Sequence, residues 1–181
     1  MNAIAADSAL ALTPGTWTVD EEQTRVGFAV RHLAVATVRG RFTRFHGRLD
    51  VAEDGSARGG GSVEDASVDT GEPIRDNRLV GPDCFDAQRH PRIELRGARL
   101  DRDRDGLCLV GDLTICGVTR PVRLGVTPGH LPNRDAIALR LTGVVRRSDF
   151  GLRWSRALEA GGAVVSDRVA LELDVVLRRA A

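Results

Sequence analysis

From Val169 to Arg178 the chain alternates apolar and polar residues at every second position. Val169, Leu171, Leu173, Val175 and Leu177 share one face, while Glu172, Asp174 and Arg178 share the other. Period two is the spacing of a β-strand with one buried and one wet side. Val26, Phe28 and Val30 repeat the pattern, and Ile137, Leu139 and Leu141 carry it on to Val145. One-sided strands belong to an antiparallel sheet, because parallel strands covered on both faces read as unbroken apolar runs.

The turns agree with this. Asp54-Gly55 and Asp105-Gly106 each sit between strand-like runs, and an Asx-Gly pair there is a strong hairpin signal. Gly117 separates two runs so closely that only a hairpin fits, whereas 127–134, with two prolines, reads as a longer loop. Nine runs, near 16–20, 24–32, 36–52 (one long bent strand or two), 58–68, 92–100, 107–116, 119–126, 134–147 and 166–178, supply about eight barrel strands. Gly40 and Gly47 mark places for a kink in the third run, and Gly59-Gly60-Gly61 reads as a flexible hairpin entry. Two short helices are predicted, one over Ile74–Val80 after the capping and proline signals of 69–73, the other near 155–160. Neither can serve as a crossover, so the sheet removes its edges by closing. The fold class expected is therefore an all-β antiparallel barrel, one domain over 15–181 preceded by a flexible segment, 1–14.

Composition narrows the function. The 181 residues carry a formal net charge of +1, with every basic side chain an arginine, so no global field recruits nucleic acid. No run is long enough to span a bilayer as a helix, and the first 14 residues lack the basic start of a secretion signal. Three cysteines without metal-type spacing suit a reducing compartment, and a cytoplasmic location is expected. The four histidines stand singly, with no His-x-x-x-His or Cys-x-x-Cys pairing, so no metal site is expected. No nucleophile elbow occurs, and the glycine triplet lacks the Lys-Ser/Thr of a phosphate loop. Arg39, Arg41 and Arg44 alternate with Phe42 and Phe45 as in any strand with an apolar inside and a charged outside.

An eight-stranded barrel either fills its interior or holds one small ligand. With five Phe, two Trp and no Tyr, this chain supplies few bulky fillers, which favours a lined cavity. Two other readings stay open. One is an enzyme using the lumen as a reaction chamber, with His32 or a lumenal arginine as its polar group. The other is a solid barrel acting as an interaction module.

Several motifs resemble the YceI-like proteins. They are Trp17-Thr18-Val19-Asp20, Val26 to Leu33, Val38 to Phe42 and Phe45-His46-Gly47, then Arg75 to Leu79, Phe85-Asp86, His90 to Ile93, Gly111 to Val122 and Ser148 to Leu152. The resemblance runs from about Gly15 to Leu177 in the family's order. It implies an elongated, lipocalin-like barrel whose tunnel binds a polyisoprenoid or an isoprenoid quinone, with no catalytic residue and no cofactor beyond that lipid. Carried over position by position, it points to Phe28, Val30, Phe42, Phe45, Ile93, Leu113, Ile115 and Phe150 as tunnel contacts. Parity or position adds Leu95, Leu139 and Trp154, and places His32 at a polar mouth. Beyond the lipid, no nucleic-acid partner and no stable membrane insertion are expected. The oligomeric state is left open between a monomer and a homodimer.

Overall fold

A computed structural model describes residues 12–32, 36–129, 135–152 and 165–180. Its strands are β1 (Gly15–Val19), β2 (Arg25–His32), β3 (Ala36–Phe42), β4 (Phe45–Val51), β5 (Ala57–Glu64), β6 (Val68–Asp69), β7 (Arg92–Asp103), β8 (Gly106–Ile115), β9 (Val118–Pro128), β10 (Ala136–Arg146) and β11 (Val165–Arg179). One helix, α1 (Pro73–Val80), follows β6, and single 3-10 turns occupy Asp65–Ser67 and Arg147–Phe150. The second predicted helix, near 155–160, lies outside the described residues.

Closure depends on the long alternating strand at the C-terminus. The first part of β11 pairs with β2, from Val169 opposite Val30 to Asp174 opposite Arg25, and its last part pairs with β1, from Leu177 opposite Val19 to Arg179 opposite Trp17. β1 and β2 are thus two halves of one barrel position. Between them the Asp20 carboxylate accepts from the Glu22 and Gln23 amides, and the Thr24 hydroxyl accepts from the Val176 amide at 2.9 Å. β3 and β4 share the next position in the same way, and β5 with β6 the one after. Following β1–β4–β5–β7–β8–β9–β10–β11 returns to β1, and every pairing is antiparallel. The result is a closed eight-stranded barrel.

The break in the 36–52 run falls at Thr43-Arg44, not at Gly40 or Gly47. Ser67 pins it: its carbonyl accepts from the Thr43 amide and its hydroxyl from the Arg44 amide, both at 3.1 Å. Gly40 and Gly47 stay in the ladder, opposite Phe28 and Gly61. The glycine triplet is likewise no hairpin entry but the middle of β5. A Cβ on Gly59, Gly60 or Gly61 would fall within 2.2–2.7 Å of the carbonyl oxygens of Arg48, Leu95 and His46. A register shift against β7 lies at the same place, so β5 coils tightly between its neighbours where a side chain would not fit. The β8–β9 hairpin turns on Cys116 and Gly117, both at positive φ, as the twist of a two-residue connection requires.

Both barrel ends are dressed with apolar groups. At one end Trp17 is 1% exposed, and its indole N–H donates to the Thr13 carbonyl at 3.1 Å. At the other, α1 turns Leu79 inward, and the Phe85 amide donates back to the Leu79 carbonyl at 2.9 Å. The outer wall carries the charges: Arg39 pairs with Glu172, Arg41 with Asp69 and Arg44 with Glu64.

Candidate functional site

Strand alternation sends one residue in two into the barrel, and the inward ones are nearly all aliphatic or phenylalanine. They do not fill it. A cavity of about 230 Å³ occupies the body of the barrel, and a second of about 120 Å³ lies beneath α1 and the Arg147–Phe150 turn. Phe28, Phe42, Ile93, Ile115 and Leu171 border both and form the waist between them. The surface exposed to either chamber is almost wholly carbon. Where β5 is bare glycine, the larger chamber reaches the backbone itself. His46 and Arg48 border it there, but the His46 ring bonds the Ser62 hydroxyl and Arg48 pairs with Asp50, both in exposed settings.

All but one of the sequence-derived tunnel residues have a definite place. Phe28, Phe42, Ile93 and Ile115 stand at the waist; Phe45, Leu95, Leu113 and Leu139 wall the larger chamber; Val30 and Phe150 wall the smaller. Trp154 lies outside the described residues. His32, the last residue of β2, is half-buried opposite Val165 and borders neither chamber. The sequence reading missed Leu79, Phe85, Cys84 and Arg147, which all border the smaller chamber. Arg147 was within reach, since it continues the odd-numbered parity of Leu139, Leu141 and Val145. The other three come from the helix and the loop after it, where period two gives no guide.

Aromatic rings run from the waist to the capped end. Phe28 and Phe42 lie 5.7 Å apart between centroids, Phe42 and Phe85 6.0 Å, both pairs tilted. The polar groups near them are quenched or spent. Arg147 gives its guanidinium to three backbone carbonyls, those of Ser166, Val165 and Leu152. Burial pushes the Cys84 thiol up to about 12 and the Cys116 thiol up to about 11, with the charge of Asp65 adding to both. The Cys116 thiol donates to the Cys84 and Phe85 carbonyls.

Asp65 itself is fully buried in the 3-10 turn between β5 and β6, and neither carboxylate oxygen has a hydrogen-bond partner. Burial raises its pKa to about 7; the Ile93 amide pulls weakly the other way without reaching ordinary hydrogen-bond geometry. Asp65 lies behind the chamber wall and borders neither cavity. Among the described residues, no three of His, Cys, Asp and Glu come together as a metal site.

The comparisons with known proteins match this geometry. The chain is 25% identical over 163 residues to a UPF0312 protein of Staphylococcus aureus, covering 86% of this chain and 93% of that one. A UPF0312 protein of Staphylococcus epidermidis is 26% identical over 160 residues, with 84% and 91% covered. Among solved structures, BcnA of Burkholderia cenocepacia superposes with a TM-score of 0.74 at 20% identity, covering 87% of this chain and 98% of that one. A polyisoprenoid binding domain from Saccharophagus degradans gives 0.72 at 14% identity, covering 91% and 98%. At these identities the solved structures establish the barrel fold. The YceI-like domain model matches residues 17–177, nearly the whole chain. With its barrel, its order of motifs and that match, the chain belongs to the YceI-like family.

Proposed function

We propose that this protein binds one elongated apolar lipid, a polyisoprenoid or an isoprenoid quinone, inside the barrel, and sequesters or carries it without altering it. The observation that carries this reading is the pair of adjoining, carbon-walled chambers along the barrel. A slender hydrocarbon chain suits such a space, whereas a polar metabolite would find almost no hydrogen-bond partners there. Burying apolar surface supplies roughly 25 cal/mol per Å², so a chain of several prenyl units offsets the cost of its own ordering without directional contacts. The description of the Saccharophagus degradans neighbour as a polyisoprenoid binding domain supports the ligand class.

A carrier role fits the state of the polar groups better than catalysis does. A thiol raised to about 12 is not an available nucleophile, and Arg147 is committed to three carbonyls. The proposed setting is the cytoplasm, where the three cysteines, all free in the structure, stay reduced.

Ile115 tests the reading. It is 6% exposed and stands at the waist, so Ile115→Asp puts a carboxylate in the path of the chain. Uptake of a labelled polyprenol is expected to vanish in a variant whose far-ultraviolet circular dichroism still reports a barrel. Unchanged uptake would show that the lipid does not occupy the lumen.

A further inference from the structure

The waist is held open by the absence of a side chain. Gly40 of β3 stands opposite Phe28 of β2, and an ideal Cβ built on it would meet the tip of the Phe28 ring at 2.3 Å, with the two flanking ring carbons at 2.8 and 2.9 Å. The ring therefore lies back over the Gly40 backbone, in space that any other residue would claim. Glycine is not needed here for its backbone, since Gly40 lies outside the positive-φ region and a residue with a side chain could adopt its conformation. Phe28 also borders both chambers, and its ring centroid lies 5.7 Å from that of Phe42. A Cβ at position 40 would force the ring off the wall, and the passage between the chambers, which Phe28 borders from both, is space the ring can enter.

We infer that Gly40 and Phe28 together form a length gate: by letting the ring lie against the wall, Gly40 allows one chain to run through both chambers, and the pair sets how long a prenyl chain the protein accepts. The inference rests on the lumen being the lipid site. A short prenol is housed in one chamber and is indifferent to the gate. A long one must pass the waist.

The test is a binding series with a three-unit and a nine-unit prenol, measured on the wild type, Gly40→Ala and the double variant Gly40→Ala/Phe28→Ala. Gly40→Ala is expected to keep the short prenol and lower the long-to-short affinity ratio at least about tenfold, because every prenyl unit shut out forfeits buried apolar surface. The double variant removes the displaced ring and should restore the ratio, a rescue that general damage to β3 would not allow. If Gly40→Ala does not fold, Phe28→Trp tests the same gate with Gly40 intact, since the larger ring overfills the recess and should also lower the ratio. A ratio unchanged from wild type in the folded single variant, or one not recovered in the double variant, would overturn the gate while leaving lipid binding in place. A wild type that binds neither prenol would overturn the lipid reading and the gate with it.

Discussion

Asp65→Asn removes a carboxyl group that is 0% exposed and has no hydrogen-bond partner on either oxygen. Burial raises its pKa from an ordinary 3.8 to about 7 in the folded protein. Below about pH 4 the group is protonated in both the folded and the unfolded chain. Between about pH 4 and 7 only the unfolded chain has ionised, so it binds fewer protons than the folded one and stability falls as the pH rises. Above about pH 7 the loss is complete. At about 1.4 kcal/mol per pH unit between the two pKa values, it amounts to about 4 kcal/mol. The carboxylates held low by partners, such as Asp20 beside Arg178 and Asp50 beside Arg48, act below this window and with opposite sign. The assay is urea unfolding of wild type and Asp65→Asn at intervals from pH 4.5 to 8.5, read as the difference in stability at each pH. Any fixed cost of burying the amide cancels in the slope of that difference. The variant should gain on the wild type steadily up to about pH 7 and then hold its lead. Parallel curves across the range would refute the raised pKa.

Three further substitutions test the frame. Trp17→Ala empties the floor of the barrel, where the ring is 1% exposed and its indole is bonded to Thr13, and should cost about 3–5 kcal/mol in urea unfolding. Gly60→Ala drives a Cβ to 2.4 Å from the Leu95 carbonyl oxygen and should lower stability by about 1–3 kcal/mol, seen as a fall in Tm. Gly125→Ala in β9, with its nearest neighbour at 3.7 Å, should hold or raise Tm.

Much of the barrel was legible because period two is a strong local signal. The alternation in β2, β10 and β11 named the inward face directly, and the Asp-Gly and Gly117 turns gave the hairpins. What alternation could not give is anything decided between strands. The bend at Thr43-Arg44 is set by Ser67, twenty-four residues beyond Thr43 in sequence and adjacent only after pairing. The glycine triplet looks like a loop because its lack of side chains answers to the backbones of β4 and β7, not to a turn of its own. The burial of Asp65 carries no local mark: 58–68 reads as one strand, and nothing in the sequence shows that it breaks into a 3-10 turn at Asp65–Ser67 with the acid turned inward. Leu79 and Phe85 reach the lumen because α1 and its following loop fold over the barrel end, a tertiary placement that no periodicity encodes.

The most direct test of the central claim is native mass spectrometry of the freshly purified protein, followed by organic extraction of whatever is released. A single stoichiometric prenyl-chain lipid, either co-purified or taken up from added polyprenols and quinones, is the expected result. A protein that emerges empty and takes up none of them would contradict the account.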